Sequence, residues 1–159
     1  VATDKGAVVG VKEQGVSIYR GIPYAAPPVG ELRWRAPQPA IAWNEARRFD
    51  EFGPACWQIT DSSRGSYVDR LIEGSGMSGL SLWLLRTGMS FLHTSVSEDC
   101  LTLNIVSPQG ADGLPVMVWI HGGSHQTGSG GTNYESPDLA LNGVVLVTIN
   151  YRLGLYGFM

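Results

Sequence analysis

The feature that most constrains this chain is an apolar run that passes without a break into glycine. Residues 115–120 (PVMVWI) carry no charge and no alternation, and His121, Gly122 and Gly123 follow at once. Such a run is expected of a strand covered on both faces in a parallel or mixed sheet. Glycines set directly behind it let the backbone approach a ligand and turn its N–H groups toward one point. A second run of this kind, residues 144–149 (VVLVTI), comes after 23 intervening residues, enough for the crossover of a parallel pair. Within them, Ser136, Pro137 and Asp138 have the order of helix cap, first-turn proline and acidic first-turn residue. Asn142-Gly143 supplies a stop, so the pattern predicts a short helix over 137–142.

Upstream, residues 7–11 and 16–20 read as two short strands around a turn at Gln14-Gly15. Residues 21–39 hold five prolines, at 23, 27, 28, 37 and 39. Proline removes donors and fixes φ, so this stretch is expected to be neither helix nor central strand. It should run extended over a surface, held by Tyr24, Leu32 and Trp34. Residues 101–106 alternate and stop at Ser107-Pro108, as a strand does. Residues 58–97 are rich in Ser and Gly around an apolar island at 80–85, and so long a loop is expected to be functional or tethered at its base.

Eleven Lys and Arg against fourteen Asp and Glu give a net charge of −3, which leaves no basic footprint for nucleic acid. Charged residues make up 16%, low against about 25% for soluble domains, so much of the chain is expected to be buried or covered. No apolar run approaches the roughly 20 residues of a membrane-spanning helix. A chain of 159 residues forms one domain or a piece of a larger one. It opens at Val1 without a leader, consistent with a removed signal peptide or a trimmed start, and its end after the apolar run 153–158 reads as a cut.

Residues 121–131 (HGGSHQTGSGG) carry the chemistry. Backbone N–H groups on such a loop can stabilise a developing oxyanion, each donor contributing about 10²–10³ in rate. The plain alternative is a tight turn that needs glycine at positive φ. A phosphate loop is excluded by the missing lysine, and the glycines do not fit the dinucleotide register. His121 and His125 stand four apart on a glycine loop rather than a helix, so they do not form a metal pair. Cys56 and Cys100 either close the long loop as a disulfide or stand as two buried thiols; neither has a second Cys or His at metal-ligand spacing.

Four blocks taken in order resemble the type-B carboxylesterase/cholinesterase family of α/β-hydrolases. They are residues 21–30 (GIPYAAPPVG) with 32–35 (LRWR), residues 97–104 (SEDCLTLN), residues 115–123 (PVMVWIHGG), and residues 144–158 with Asn150, Tyr151, Arg152 and Gly154. The likeness covers nearly the whole chain and is weakest over 58–96. It implies the N-terminal portion, residues 1–159, of a single mixed-sheet α/β-hydrolase domain, with a small β-hairpin and a long disulfide-closed loop at its start. By resemblance Cys56 and Cys100 form that disulfide, and Arg33 and Glu98 form a structural salt bridge. The loop between the cysteines lies over the active-site entrance in relatives, and Trp83 is expected to pack in its apolar island with Leu80, Leu82, Leu84 and Leu85.

The glycine loop matches the family's His-Gly-Gly-Gly oxyanion motif. On that match Gly123 and Ser124 present backbone donors, Gly122 and His125 border the substrate, and His121 is a hydrogen-bonded support rather than the catalytic base. Ser124 stands where the motif has Gly or Ala, and His125 replaces an aromatic residue. The family's chemistry also needs a Gly-x-Ser-x-Gly nucleophile, an acid and a histidine, in that order. None is present here; Gly79-Leu80-Ser81 is only half a match. The resemblance therefore implies part of a serine carboxylic-ester hydrolase, inactive alone, whose partners are the rest of the domain, in the same chain or a second one, and a small ester. It implies no cofactor, metal, nucleic acid or membrane span, and a secreted or periplasmic location rather than a cytoplasmic one. A non-catalytic adhesion or binding module of the same family is the alternative.

Overall fold

The computed structural model describes residues 1–58 and 95–159, together with Gly74 and Gly76. Trp83, its leucine neighbours and the Gly79-Leu80-Ser81 half-match lie outside the described residues. The first elements are β1 (Val8–Val9), β2 (Val11–Glu13) and β3 (Val16–Pro23). The expected hairpin is β2 and β3, antiparallel with Glu13 opposite Val16. β1 instead pairs in parallel with β4 (Arg47–Arg48).

Two expectations for the proline-rich stretch are corrected. β3 does not stop at residue 20 but continues through Gly21 to Pro23, with a register shift between Tyr19 and Ile22. A proline is tolerated there because β2 reaches only residues 16–18, so at Pro23 the strand has a ladder partner on one side. A single helical turn of the tight, three-residue kind also forms at Gly30–Leu32.

Two two-residue strands, β5 (Ala55–Cys56) and β6 (Val96–Ser97), pair in parallel at the base of the long loop. Beside them Cys56 and Cys100 form a disulfide, with Cα atoms 4.9 Å apart, which settles the choice between bridge and free thiols. Closing a loop of 44 positions removes about 4 kcal/mol of unfolded-chain entropy in the loop-closure account.

The main sheet has the order β2-β3-β7-β9-β8. β7 (Thr102–Pro108) runs two residues past the expected stop and is antiparallel to β3 and to β9 (Val145–Ile149). β8 (Val116–Ile120) is parallel to β9, as its crossover length requires. The helix of that crossover, α1 (Pro137–Leu141), is capped as predicted: the Leu139 N–H donates to Ser136 Oγ and Asn142 ends it. Ala140 on α1 is fully buried against Val16, Ile18, Val106 and Leu146, alternate residues of β3, β7 and β9 that form one core face. A second cluster gathers Ala25, Cys56, Cys100, Leu101 and Leu153 around the disulfide. The chain closes with the short helical turn α2 (Gly154–Gly157).

The cover expected over β8 is not found among the described residues. The run read as covered on both faces is one of the two edge strands of this sheet among the described residues, and all five of its residues are exposed, from 43% at Trp119 to 65% at Ile120. Its composition is nevertheless that of a strand covered on both faces.

Candidate active site

The glycine loop leaves the C-terminal end of β8, the end at which parallel sheets place their ligands. Its conformation follows from what holds its carbonyls. Nδ1 of His121 lies 2.9 Å from the Gly122 carbonyl oxygen and must carry the proton, since that oxygen can only accept. The Gly123 carbonyl accepts from the N–H groups of Gln126 and Thr127, at 3.0 and 3.1 Å. In a planar trans peptide the C=O and N–H point opposite ways. With both carbonyls held in these bonds, the N–H groups of Gly123 and Ser124 point away from the atoms that hold them. Neither has an acceptor among the described residues.

Gly123 sits at φ 119°, and a Cβ there would collide with the Thr127 carbonyl. Gly128, at φ 116°, packs against the His121 ring so closely that a Cβ would strike Nδ1. Ser124 and His125 are both left-handed, at φ 53° and 60°, a conformation that costs a residue with a Cβ about 1–2 kcal/mol. The serine that departs from the family motif thus keeps a glycine-like backbone.

The base of the loop rests on a polar patch of the sheet. Asn104 and Thr148 are opposite one another on β7 and β9, one step beyond the apolar pair Val106 and Leu146 on the same face. Asn104 Nδ2 and Thr148 Oγ both donate to the Gly130 carbonyl, at 2.8 and 2.6 Å. Asn104 Oδ1 accepts the Gly21 N–H, which ties the patch to β3. Asn150 Oδ1 accepts the Gly130 N–H at 2.7 Å, while its Nδ2 donates to Pro54 and Thr102. Gln58 holds Gly128 from the other side by two bonds of 2.8 Å, one in each direction. No described buried side chain is left without a hydrogen-bond partner.

His121 is 3% exposed, its ring stacked on Tyr151 at 4.4 Å, and the Tyr151 hydroxyl donates to the His121 carbonyl. Burial pulls its pKa below the usual histidine value, against the opposing effect of the Gly122 carbonyl. Gly122 and His125 are exposed at the loop surface, with the His125 ring against Phe158 at 4.6 Å. Arg33 and Glu98 form a bidentate pair, at 2.6 and 2.9 Å, beside the disulfide. The shallow dent there, walled by Trp34, Trp57 and Tyr156, includes none of residues 121–131. Among the described residues no group of three His, Cys, Asp or Glu could hold a metal, and no helix is long and apolar enough to cross a membrane.

Sequence reasoning named the loop but not its supports. Asn104, Thr148, Asn150 and Tyr151 stood inside the family blocks, without a role; Gln58 and the Arg20–Glu135 ion pair carried no signal, because their partners are backbone atoms or residues far away in sequence.

The described sheet, its crossover and the loop at the strand end are those of the α/β-hydrolase esterases. A PNB esterase structure superposes with a TM-score of 0.77 at 38% identity, covering 100% of this chain and 29% of its own. A Geobacillus stearothermophilus carboxylesterase gives 0.73 at 37%, over 99% of this chain and 27% of its own. The carboxylesterase family profile matches residues 1–159, and the chain belongs to that family. Fumonisin B1 esterase of Sphingopyxis macrogoltabida is 45% identical over 99% of this chain and 25% of its own length. The para-nitrobenzyl esterase of Bacillus subtilis is 39% identical over 100% and 28%. The chain thus spans about a quarter of these curated relatives. They lend no support to the adhesion alternative.

Proposed function

We propose that residues 1–159 form the oxyanion-stabilising and entrance portion of a carboxylic-ester hydrolase. The observation that carries this reading is that the adjacent N–H groups of Gly123 and Ser124 have no acceptor among the described residues. As a serine oxygen attacks an ester carbonyl, charge builds on the carbonyl oxygen, and two fixed donors stabilise it more than they stabilise the neutral substrate. Collapse of the tetrahedral intermediate expels the alcohol and leaves an acyl-enzyme, which water hydrolyses through a second such intermediate.

The serine, its histidine and the orienting acid come from outside these residues, in the remainder of the domain in the same chain or in a second chain. The open edge and apolar faces of β8 support this, since they offer that remainder a strand to pair with. Gly122 and His125 border the acyl group, and Arg33–Glu98 acts as an anchor. The disulfide favours a secreted or periplasmic location, where thiols oxidise. The substrates named for two relatives, a fumonisin and a p-nitrobenzyl ester, share the carboxylic ester alone, and the reading commits to that group.

The test is p-nitrophenyl acetate hydrolysis and fluorophosphonate labelling. The protein that carries residues 1–159 within a complete hydrolase domain is expected to turn over and to be labelled on a serine outside them. The 159-residue chain alone is expected to do neither. Labelling of Ser124 or Ser129, or turnover by the chain alone, would contradict the reading.

A further inference from the structure

The hydrogen bonds around Gly128 lead from the disulfide to the donors. Gln58 lies two residues after Cys56, and its Nε2 donates both to the Cys56 carbonyl, at 3.1 Å, and to the Gly128 carbonyl, at 2.8 Å. Its Oε1 accepts the Gly128 N–H at 2.8 Å. Both backbone groups of one loop residue are therefore held by one side-chain amide. Gly128 in turn lies against the Nδ1 edge of His121, leaving no room for a Cβ. That same Nδ1–H fixes the Gly122 carbonyl at 2.9 Å and so sets the direction of the Gly123 N–H across the peptide plane.

We propose that Gln58 is a positioning residue for ester hydrolysis: its amide seats Gly128 against His121 and thereby aims the Gly123 donor. This rests on the oxyanion reading above. An aligned donor strengthens its bond mainly as charge develops, so a loosened one lowers kcat and leaves substrate binding nearly unchanged. A purely structural bond would lower the melting temperature and leave kcat alone. The amide is also chemically particular here. Gly128 presents a donor and an acceptor together, and only a side chain able to accept and donate at once satisfies both.

The test is made in the complete hydrolase that carries this chain. Gln58→Ala is expected to lower kcat about tenfold with KM within twofold, and to lower the affinity for a trifluoromethyl ketone, which binds as the tetrahedral adduct, by a similar factor. Gln58→Glu keeps the shape. Above its carboxyl pKa it can accept but not donate, so kcat relative to the unaltered protein should be low at pH 8. It should recover toward pH 4, below the ordinary glutamate pKa of about 4.3, as the protonated carboxyl regains a donor. Exchanging the Ser124 amide for an ester, which removes that N–H, serves as the control on the underlying reading. If that exchange costs a hundredfold while both Gln58 variants keep kcat within twofold, Gln58 positions nothing and the oxyanion reading stands. If the exchange is harmless, the oxyanion reading fails and this inference with it. A Gln58→Glu ratio that is flat between pH 8 and pH 4 also overturns the inference.

Discussion

Arg20 and Glu135, 115 positions apart, meet in a two-pronged ion pair, with Nε to Oε2 at 2.6 Å and Nη2 to Oε1 at 2.7 Å. Each side chain is only 17% exposed, and the guanidinium also donates to the Asp50 carbonyl and lies over the Phe52 ring. The pair fastens the segment just beyond the glycine loop to β3, and hydrogen bonding to Glu135 raises the Arg20 pKa. Removing one partner strands a partly buried charge, a loss between that of surface and buried pairs. Glu135→Ala is therefore expected to cost about 2 kcal/mol in urea unfolding, and Arg20→Met combined with Glu135→Met less than Glu135→Ala alone. Equal losses in the two proteins would show that the stranded charge is not the cause.

His121 makes stability depend on pH with a determined sign. Its folded pKa lies below the 6.5 of the free side chain because burial disfavours the imidazolium. Between the two values the unfolded state binds more protons, so stability rises with pH there. The contribution is complete above about pH 6.5 and is lost as pH falls through the folded value. Unfolding free energies at pH 7.5 and pH 5.5 should differ less in His121→Gln than in the unaltered protein. An unchanged difference would remove His121 as the source.

Much of this arrangement was legible in the sequence where a local rule and a distant need coincide. The apolar run ending in glycine located β8 and its loop, because a buried strand and a close backbone approach both require those residues. Ser136 and Asn142 marked α1 because caps act within one turn. Pro23 misled, since its missing N–H is costly only where ladders run on both sides, and β2 ends before reaching it. The exposure of β8 was equally illegible: an apolar strand states that something covers it, and not which part of the protein does. The roles of Gln58 and Thr148 were illegible because they act on backbone atoms of Gly128 and Gly130 that composition does not record.

Ser124 holds a left-handed conformation with a Cβ attached. Ser124→Gly would relieve the local strain while adding freedom to the unfolded chain, and the first effect is the larger. A gain of about 0.5–1 kcal/mol is expected by chemical denaturation. A loss of stability would mean that the serine hydroxyl contributes a contact worth more than the strain.

The most direct measurement is the exchange of the Ser124 backbone amide for an ester, through the hydroxy-acid analogue of serine, in the complete hydrolase. It replaces the Ser124 N–H by an ester oxygen, which cannot donate, and leaves the φ of 53° accessible. The account predicts kcat/KM for p-nitrophenyl acetate lower by about 10²–10³, with the fold retained. A kcat/KM within twofold of the unaltered protein would contradict it.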